Sequence, residues 1–159
     1  MKYLYNWDEL SALRNEFRKT GKKVVFTNGC FDLIHKGHID YLTKAKALGD
    51  ILVVGLNSDE SMRRIKGDKR PLLPQDERAF AMANLKPVDF VTIFNEDTPF
   101  ELIKTLVPDI LVKGGDWSLD NIVGKDIVEA NGGVTTNIPF VTSRSTTSII
   151  ELILQKYGG

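Results

Sequence analysis

The run Val24-Val25-Phe26-Thr27-Asn28-Gly29-Cys30-Phe31-Asp32-Leu33-Ile34-His35-Lys36-Gly37-His38 holds the only two histidines of the chain. A β-branched apolar stretch ends in Asn28-Gly29, turns through Phe31-Asp32 and enters a helix that carries His35 and His38. Residues three apart share a helix face, so both imidazoles can address one ligand near the helix start. A helix N-terminus presents unpaired N–H groups and partial positive charge, which suits a phosphate. Gly37 lets a nucleotide approach the backbone without meeting a Cβ. The pattern predicts a triphosphate site where chemistry occurs at phosphorus. A zinc centre fits worse, because one cysteine and two histidines cannot supply the usual closed ligand set.

Alternating elements must position these groups. Asp8–Phe17 has Leu10, Leu13 and Phe17 at helical spacing and predicts a short amphipathic helix, lying with residues 1–20 outside the motif region. Strands are predicted at Lys23–Thr27, Ile51–Leu56, Phe90–Phe94, Ile110–Val112 and Val134–Ile138. Helices are predicted at His38–Leu48 (closing at Gly49 as its C′ residue), Asp76–Leu85, Pro99–Leu106, Ile122–Ala130 and Ser145–Lys156, the last with Ser145 as N-cap. The alternation indicates one α/β domain over residues 1–159: a doubly wound parallel sheet of about five strands. In such sheets ligands bind beyond the carboxyl ends of the strands. Asn28, Asn57-Ser58-Asp59, Lys113-Gly114-Gly115-Asp116 and Ser143–Thr147 all follow strands and should converge there. The defining loops of dinucleotide oxidoreductases and P-loop NTPases do not occur.

Together these residues resemble the HxGH nucleotidyltransferases, on Asn28-Gly29-Cys30-Phe31-Asp32 and His35-Lys36-Gly37-His38. The likeness continues through Asn57-Ser58-Asp59, Lys66-Gly67, Arg70-Pro71, Glu77-Arg78, Glu96-Asp97-Thr98-Pro99, Pro108 to Asp116, Asn131-Gly132-Gly133 and Ser145-Thr146-Thr147. Within the superfamily the chain is most similar to heptose 1-phosphate adenylyltransferases, found alone or fused to a sugar kinase. The resemblance implies a Rossmann-like nucleotidyltransferase fold, ATP as substrate, a homo-oligomer and a functional partnership with a heptose kinase. It also implies that Asn28, Gly29, Cys30, Phe31, Asp32 and Gly37 line the nucleotide site and that Arg78 contacts phosphate. An i,i+4 surface pair is the other reading of Arg78.

If the nucleophile is a phosphate monoester, its second pKa near ~6 leaves it largely ionised at neutral pH, and no general base is needed. The protein must then hold two repelling anions together and stabilise charge growing on the phosphoryl oxygens. His35 and His38 serve the triphosphate. Lys66, in the flexible-looking segment Arg63–Arg70, either clamps acceptor and leaving phosphates or is a solvated lysine in a basic loop. Ser145, Thr146 and Thr147 open the last helix and can receive the β- and γ-phosphates, cap the helix, or both. Lys113, Gly115 and Asp116 should approach the nucleoside, a plain turn being the alternative for the glycine pair. Asp32 either orients His35 or positions a metal at the acceptor phosphate. Cys30 stands where cytidylyltransferases commonly carry Thr and reads as a small packing residue. Arg144 adjoins Ser145 directly, whereas those enzymes place an arginine several residues earlier, so its part as a phosphate ligand stays open.

Composition narrows the partners. Twenty-one basic and 21 acidic residues give zero formal net charge, so no global field favours nucleic acid, and anions must be held by local groups. A single cysteine suits a reducing cytosol. No run approaches the ~18 apolar residues of a membrane span, and the expected location is cytoplasmic. The leading expectation is AMP transfer from ATP, with Mg²⁺ on the triphosphate, to D-glycero-D-manno-heptose 1-phosphate. A cytidylyltransferase acting on glycerol 3-phosphate or a similar ester is the alternative enzyme. A nucleotide sensor without turnover is the alternative from another class.

Overall fold

The computed structural model describes residues 5–115, 118–141 and 143–158. Its elements run α1 (Trp7–Lys19), β1 (Val24–Gly29), α2 (Lys36–Lys46), β2 (Ile51–Asn57), α3 (Asp59–Lys66), α4 (Gln75–Ala83), β3 (Phe90–Phe94), α5 (Phe100–Leu106), β4 (Ile110–Gly114), a 3₁₀ turn (Leu119–Asn121), α6 (Lys125–Ala130), β5 (Val134–Ile138) and α7 (Thr146–Tyr157). The five strands are all parallel, in the order β3-β2-β1-β4-β5. This is the α/β architecture expected from the alternation.

Both faces of the sheet are covered, which is why its strands read as continuous apolar runs. Val25, Leu52, Val54 and Val91 pack under α2 and α4 with Leu42, Ala45 and Met82. Val24, Phe26, Val53 and Leu111 face the other way, onto Leu10 of α1, Leu102 and Ile103 of α5 and Val128 of α6. The apolar stripe of α1 is thus covered by its own chain. Trp7 Nε1 donates to the Ile93 carbonyl at 3.1 Å, and buried Arg14 reaches the Val107 carbonyl and Asp109.

The chain reverses its order of addition between β1 and β4, and there the sheet opens. β1 pairs with β2 along its whole length, Val24↔Ile51 to Gly29↔Leu56. With β4 it pairs only at Val25↔Ile110 and Phe26↔Leu111. Beyond that point Tyr41 of α2 fills the split. Its hydroxyl lies 2.6 Å from Thr27 Oγ1 and donates to the Val112 carbonyl at 3.3 Å. Burial pushes the phenol pKa up, so the group stays neutral. A crevice at the carboxyl ends of strands flanking a switch point is where open α/β sheets bind ligands.

Several sequence expectations change. Asn28 and Gly29 belong to β1, paired with Gly55 and Leu56, and the turn begins at Cys30. The segment that looked flexible begins inside α3 and contains its second half, and the N-cap of that helix, Ser58, accepts from the Ser61 N–H. Helix α2 ends at Lys46, and Gly49 has no positive φ. It is glycine because a Cβ there would lie 2.7 Å from Val25 Cγ2. Residues 122–124 do not join α6, which starts after Gly124 at φ +86°. Ser145 caps α7 as expected, in a capping box with Ser148.

Arg14 is 3% exposed, while the Asp109 side chain it pairs with keeps a third of its surface in water. Arg14→Ala therefore leaves a carboxylate that can partly rehydrate, and Val24 N–H still binds it. The expected loss is about 2 kcal/mol, below the range for a fully buried pair. A urea unfolding curve measures it.

Candidate active site

β1 and β4 deliver the walls of the crevice, α2 its histidines, and α7 its far rim. A cavity of about 480 Å³ is lined by Asn28, Gly29, Cys30, Phe31, Asp32, His38, Lys66, Lys113, Ser145, Thr146 and Thr147. A second of about 220 Å³ shares His38, Ser145 and Thr146 with it and adds His35, Gly37, Phe140, Ser143 and Arg144. The chain therefore gathers groups more than 100 residues apart into one cleft. Gly115 lies outside both linings and donates its N–H to the Ile138 carbonyl at 2.9 Å. Asp116 lies outside the described residues.

The histidines are arranged more tightly than helical spacing alone requires. His35 is the N-cap of α2, and its Nδ1 accepts from Gly37 N–H at 3.1 Å. An acceptor Nδ1 leaves the proton of the neutral ring on Nε2 as a donor. The His38 ring stacks on it at 3.9 Å between centroids and 27° between planes, and Phe31 meets His38 edge-on at 5.2 Å. Phe31 reaches that place through a left-handed backbone, φ +46°, uncommon for a bulky residue. A Cβ on Gly29 would lie 2.8 Å from the Phe31 ring, so this glycine makes room for Phe31 as well as for a ligand.

Burial and neighbouring charge keep the cleft's imidazoles neutral. Burial, then the His35 ring beside it, push His38 down to about 4, with the Leu33 backbone pulling weakly the other way. Its Nδ1 is buried without a well-formed hydrogen bond. His35 is lowered by burial and then by Arg144. Burial lowers Lys113, which Cys30 raises and Lys66 lowers further. Burial raises the Cys30 thiol against the pull of Lys66, Arg78 and Arg70. A thiol so raised is a poor nucleophile, in keeping with a packing role.

Asp32 and Arg78 take parts other than those expected. The Asp32 carboxylate accepts from Arg70 Nε at 2.7 Å and from the backbone N–H groups of Leu72 and Leu73 at 3.0 Å, and it makes no hydrogen bond to His35. Arg78, expected to contact phosphate, is 1% exposed and lies behind the cleft wall. It donates to the carbonyls of Leu73, Cys30 and Asn57 and to Asp59 Oδ1 at 2.7 to 3.0 Å. Its guanidinium is a strut, engaged by protein acceptors and absent from the lining of the cleft. Together the two ions hold residues 70–73, Asp32 by their N–H groups and Arg78 by a carbonyl.

Arg70, Asp97, Thr98, Asn121 and Val123 also line the larger cavity. Arg70, Asp97 and Thr98 sit in quoted motif segments without an assigned role. Asn121 and Val123 could not be placed from sequence, because the helix expected over residues 122–130 begins only at Lys125.

The cytidylyltransferase-like family model matches residues 26–151 of this chain. The bifunctional protein HldE of Geobacter sulfurreducens is 56% identical over 96% of this chain. That of Citrifermentans bemidjiense is 57% identical, also over 96%. The chain spans 31% of the length of each of these relatives. The crystal structure of the lipopolysaccharide core biosynthesis protein from Thermoplasma volcanium aligns with a TM-score of 0.63 at 29% identity, over 78% of this chain and all of that one. Pantoate-beta-alanine ligase from Francisella tularensis shares the fold at 15% identity, TM-score 0.61, over 92% of this chain and 69% of its own.

Two outcomes separate strut from ligand. Arg78→Met should cost about 3 kcal/mol of stability, since it strands three carbonyls and a carboxylate; thermal and urea unfolding would read it. His38, near 4 when folded against an ordinary 6.5, lets the unfolded chain bind more protons between those values. Stability should therefore fall as pH drops from about 6.5 towards 4. His38→Asn should flatten that slope in a series of urea midpoints.

Proposed function

Since the chain belongs to the cytidylyltransferase-like family and is a nucleotidyltransferase, we propose that it moves AMP from ATP onto D-glycero-D-manno-heptose 1-phosphate, giving ADP-heptose and pyrophosphate. One observation carries the reading. The stacked His35–His38 pair and the hydroxyl-bearing start of α7 share a cleft with Lys66 and Lys113. The resemblance of the motifs to heptose 1-phosphate adenylyltransferases supports the acceptor, as do the HldE relatives and the lipopolysaccharide core biosynthesis protein.

In the proposed reaction a phosphate oxygen of the sugar phosphate attacks the α-phosphorus in line. A new P–O bond forms as the bond to the pyrophosphate oxygen breaks, and no side chain need take a proton. The imidazoles donate hydrogen bonds to the non-bridging oxygens, where charge accumulates. The N–H groups and hydroxyls at Ser145–Thr147 receive the outer phosphates. Lys66 and Lys113 offset the repulsion between acceptor and triphosphate. Asp32 and Asp97 are engaged by Arg70 and Arg64, so these residues suit a magnesium ion carried by the nucleotide's phosphates, which would neutralise leaving-group charge. On this reading the enzyme works in the cytoplasm beside a kinase that makes the heptose 1-phosphate. Among the described residues no helix is long and apolar enough to cross a membrane.

Incubation with ATP, magnesium and the heptose 1-phosphate should release pyrophosphate. No release with any sugar 1-phosphate, or a preference for CTP over ATP, overturns the proposal. His35→Ala and His38→Ala should each slow turnover by on the order of 10²–10³-fold, the scale for losing one donor to a transition-state oxyanion. ATP affinity should fall less, because the contact strengthens as the phosphorus becomes five-coordinate. Lys66→Ala should also raise the KM for the sugar phosphate. Steady-state kinetics beside a thermal melt of each variant check all three.

A further inference from the structure

One guanidinium in the cleft is aimed without being used up. Arg70 lines the larger cavity, and its side chain is 15% exposed. Its Nε donates to Asp32 Oδ2 at 2.7 Å, and among the described residues that carboxylate is its side chain's one hydrogen-bond partner. Asp32 is itself fixed: its side chain is fully buried, and the N–H groups of Leu72 and Leu73 hold it at 3.0 Å. A guanidinium is planar, so fixing Nε against a held carboxylate also restricts where Nη1 and Nη2 point. Those two nitrogens form the end-on fork that can hold a phosphate through two parallel hydrogen bonds.

Lys66 stands near it. The Arg70 N–H donates to the Gly67 carbonyl at 3.1 Å, turning the loop back towards the end of α3, and Lys66 lines the same cavity. Burial raises the Cys30 thiol, and Lys66, Arg78 and Arg70 each pull it back, so the charges of Lys66 and Arg70 both reach one spot on the cavity wall.

We propose that Arg70 is the receptor for the phosphate monoester of the acceptor, aimed by Asp32 and assisted by Lys66, a role that rests on the transferase reading. The triphosphate has donors of its own in His35 and the start of α7, which line the smaller cavity without Arg70. A transfer between two phosphates needs a second anion held beside the first, and Arg70 is the fork available for it. A plain surface ion pair joins exposed groups and gains little. Asp32 is instead buried and already holds two backbone donors before Arg70 is added. Thr98 and Asn121 line the same cavity and offer a hydroxyl and an amide to the hydroxyls of an attached sugar.

Arg70→Lys keeps a cation for Asp32 but loses the fork. The KM for the heptose 1-phosphate should rise about 10- to 100-fold, the scale of one or two lost charge-assisted hydrogen bonds, while the KM for ATP stays within about twofold. Calorimetry reads the same site without turnover. With α,β-methylene ATP bound, inorganic phosphate should bind the parent, and should bind Arg70→Lys about tenfold more weakly or worse. In the parent, phenylglyoxal should label Arg70, mapped by mass spectrometry, and phosphate should slow that labelling whether or not the variant folds. Unaltered phosphate affinity in a folded variant overturns the proposal, as does a parent that binds no phosphate beside the analogue, or a labelling rate indifferent to phosphate. So does an analogue affinity that falls as far as the phosphate affinity, which would put Arg70 on the triphosphate. Phosphate binding is measured without transfer, so failure of the heptose reaction and failure of this site are told apart.

Discussion

The cleft depends on a buried cation that never faces it. Arg78 draws together the carbonyl of Cys30 just after β1, that of Asn57 at the end of β2, the carbonyl of Leu73 before α4, and the Asp59 carboxylate that starts α3. Burying a guanidinium is costly unless hydrogen bonds replace its water. Here they do, and three loops that could otherwise move separately are tied at one point. Asp32 makes the complementary anchor from the cleft side, holding Arg70 and the N–H groups of Leu72 and Leu73. Lys66 reaches the cavity from the end of a helix whose start is fixed by the first ion and whose following loop is fixed by the second.

The sheet itself was readable from sequence because its rule is simple. Strands covered on both faces must be apolar throughout, and Ile51–Leu56 or Phe90–Phe94 leave few other readings. The histidine pair was readable because two rare residues sat beside a strand end. Arg78 was not, because its partners are mainly backbone carbonyls, which every residue owns and which leave no mark in a sequence. Helix α3 was overlooked for a different reason: Arg63, Arg64 and Lys66 suggested a solvated basic loop, although Ser58 followed by Asp59 and Glu60 is a helix-start signal. The amphipathic α1 announced an apolar face in the sequence, and Leu10 and Phe17 turn it onto the sheet. Amphipathicity says that a face will be covered, not by whom.

The chain's charge balance throws the work of anion binding onto geometry. Its cations around the cleft are few and placed on different elements: Lys66 on α3, Arg70 in the loop that follows, Lys113 on β4, Arg144 ahead of α7. Burial weakens the hold of Lys113 on its proton and raises the Cys30 thiol, so the interior responds to added charge more strongly than water would.

That responsiveness gives the stacked imidazoles a second character. The pair is uncharged at neutral pH, held so by burial, by His35 beside His38 and by Arg144 near His35. A polyanion laid against them shifts the balance, since opposite charge nearby favours the imidazolium. Occupancy of the cleft is then coupled to capture of hydrogen ions from the medium. Calorimetric heats of association should consequently vary with the ionisation enthalpy of the buffer, and the site would become cationic only when an anion is there to be held.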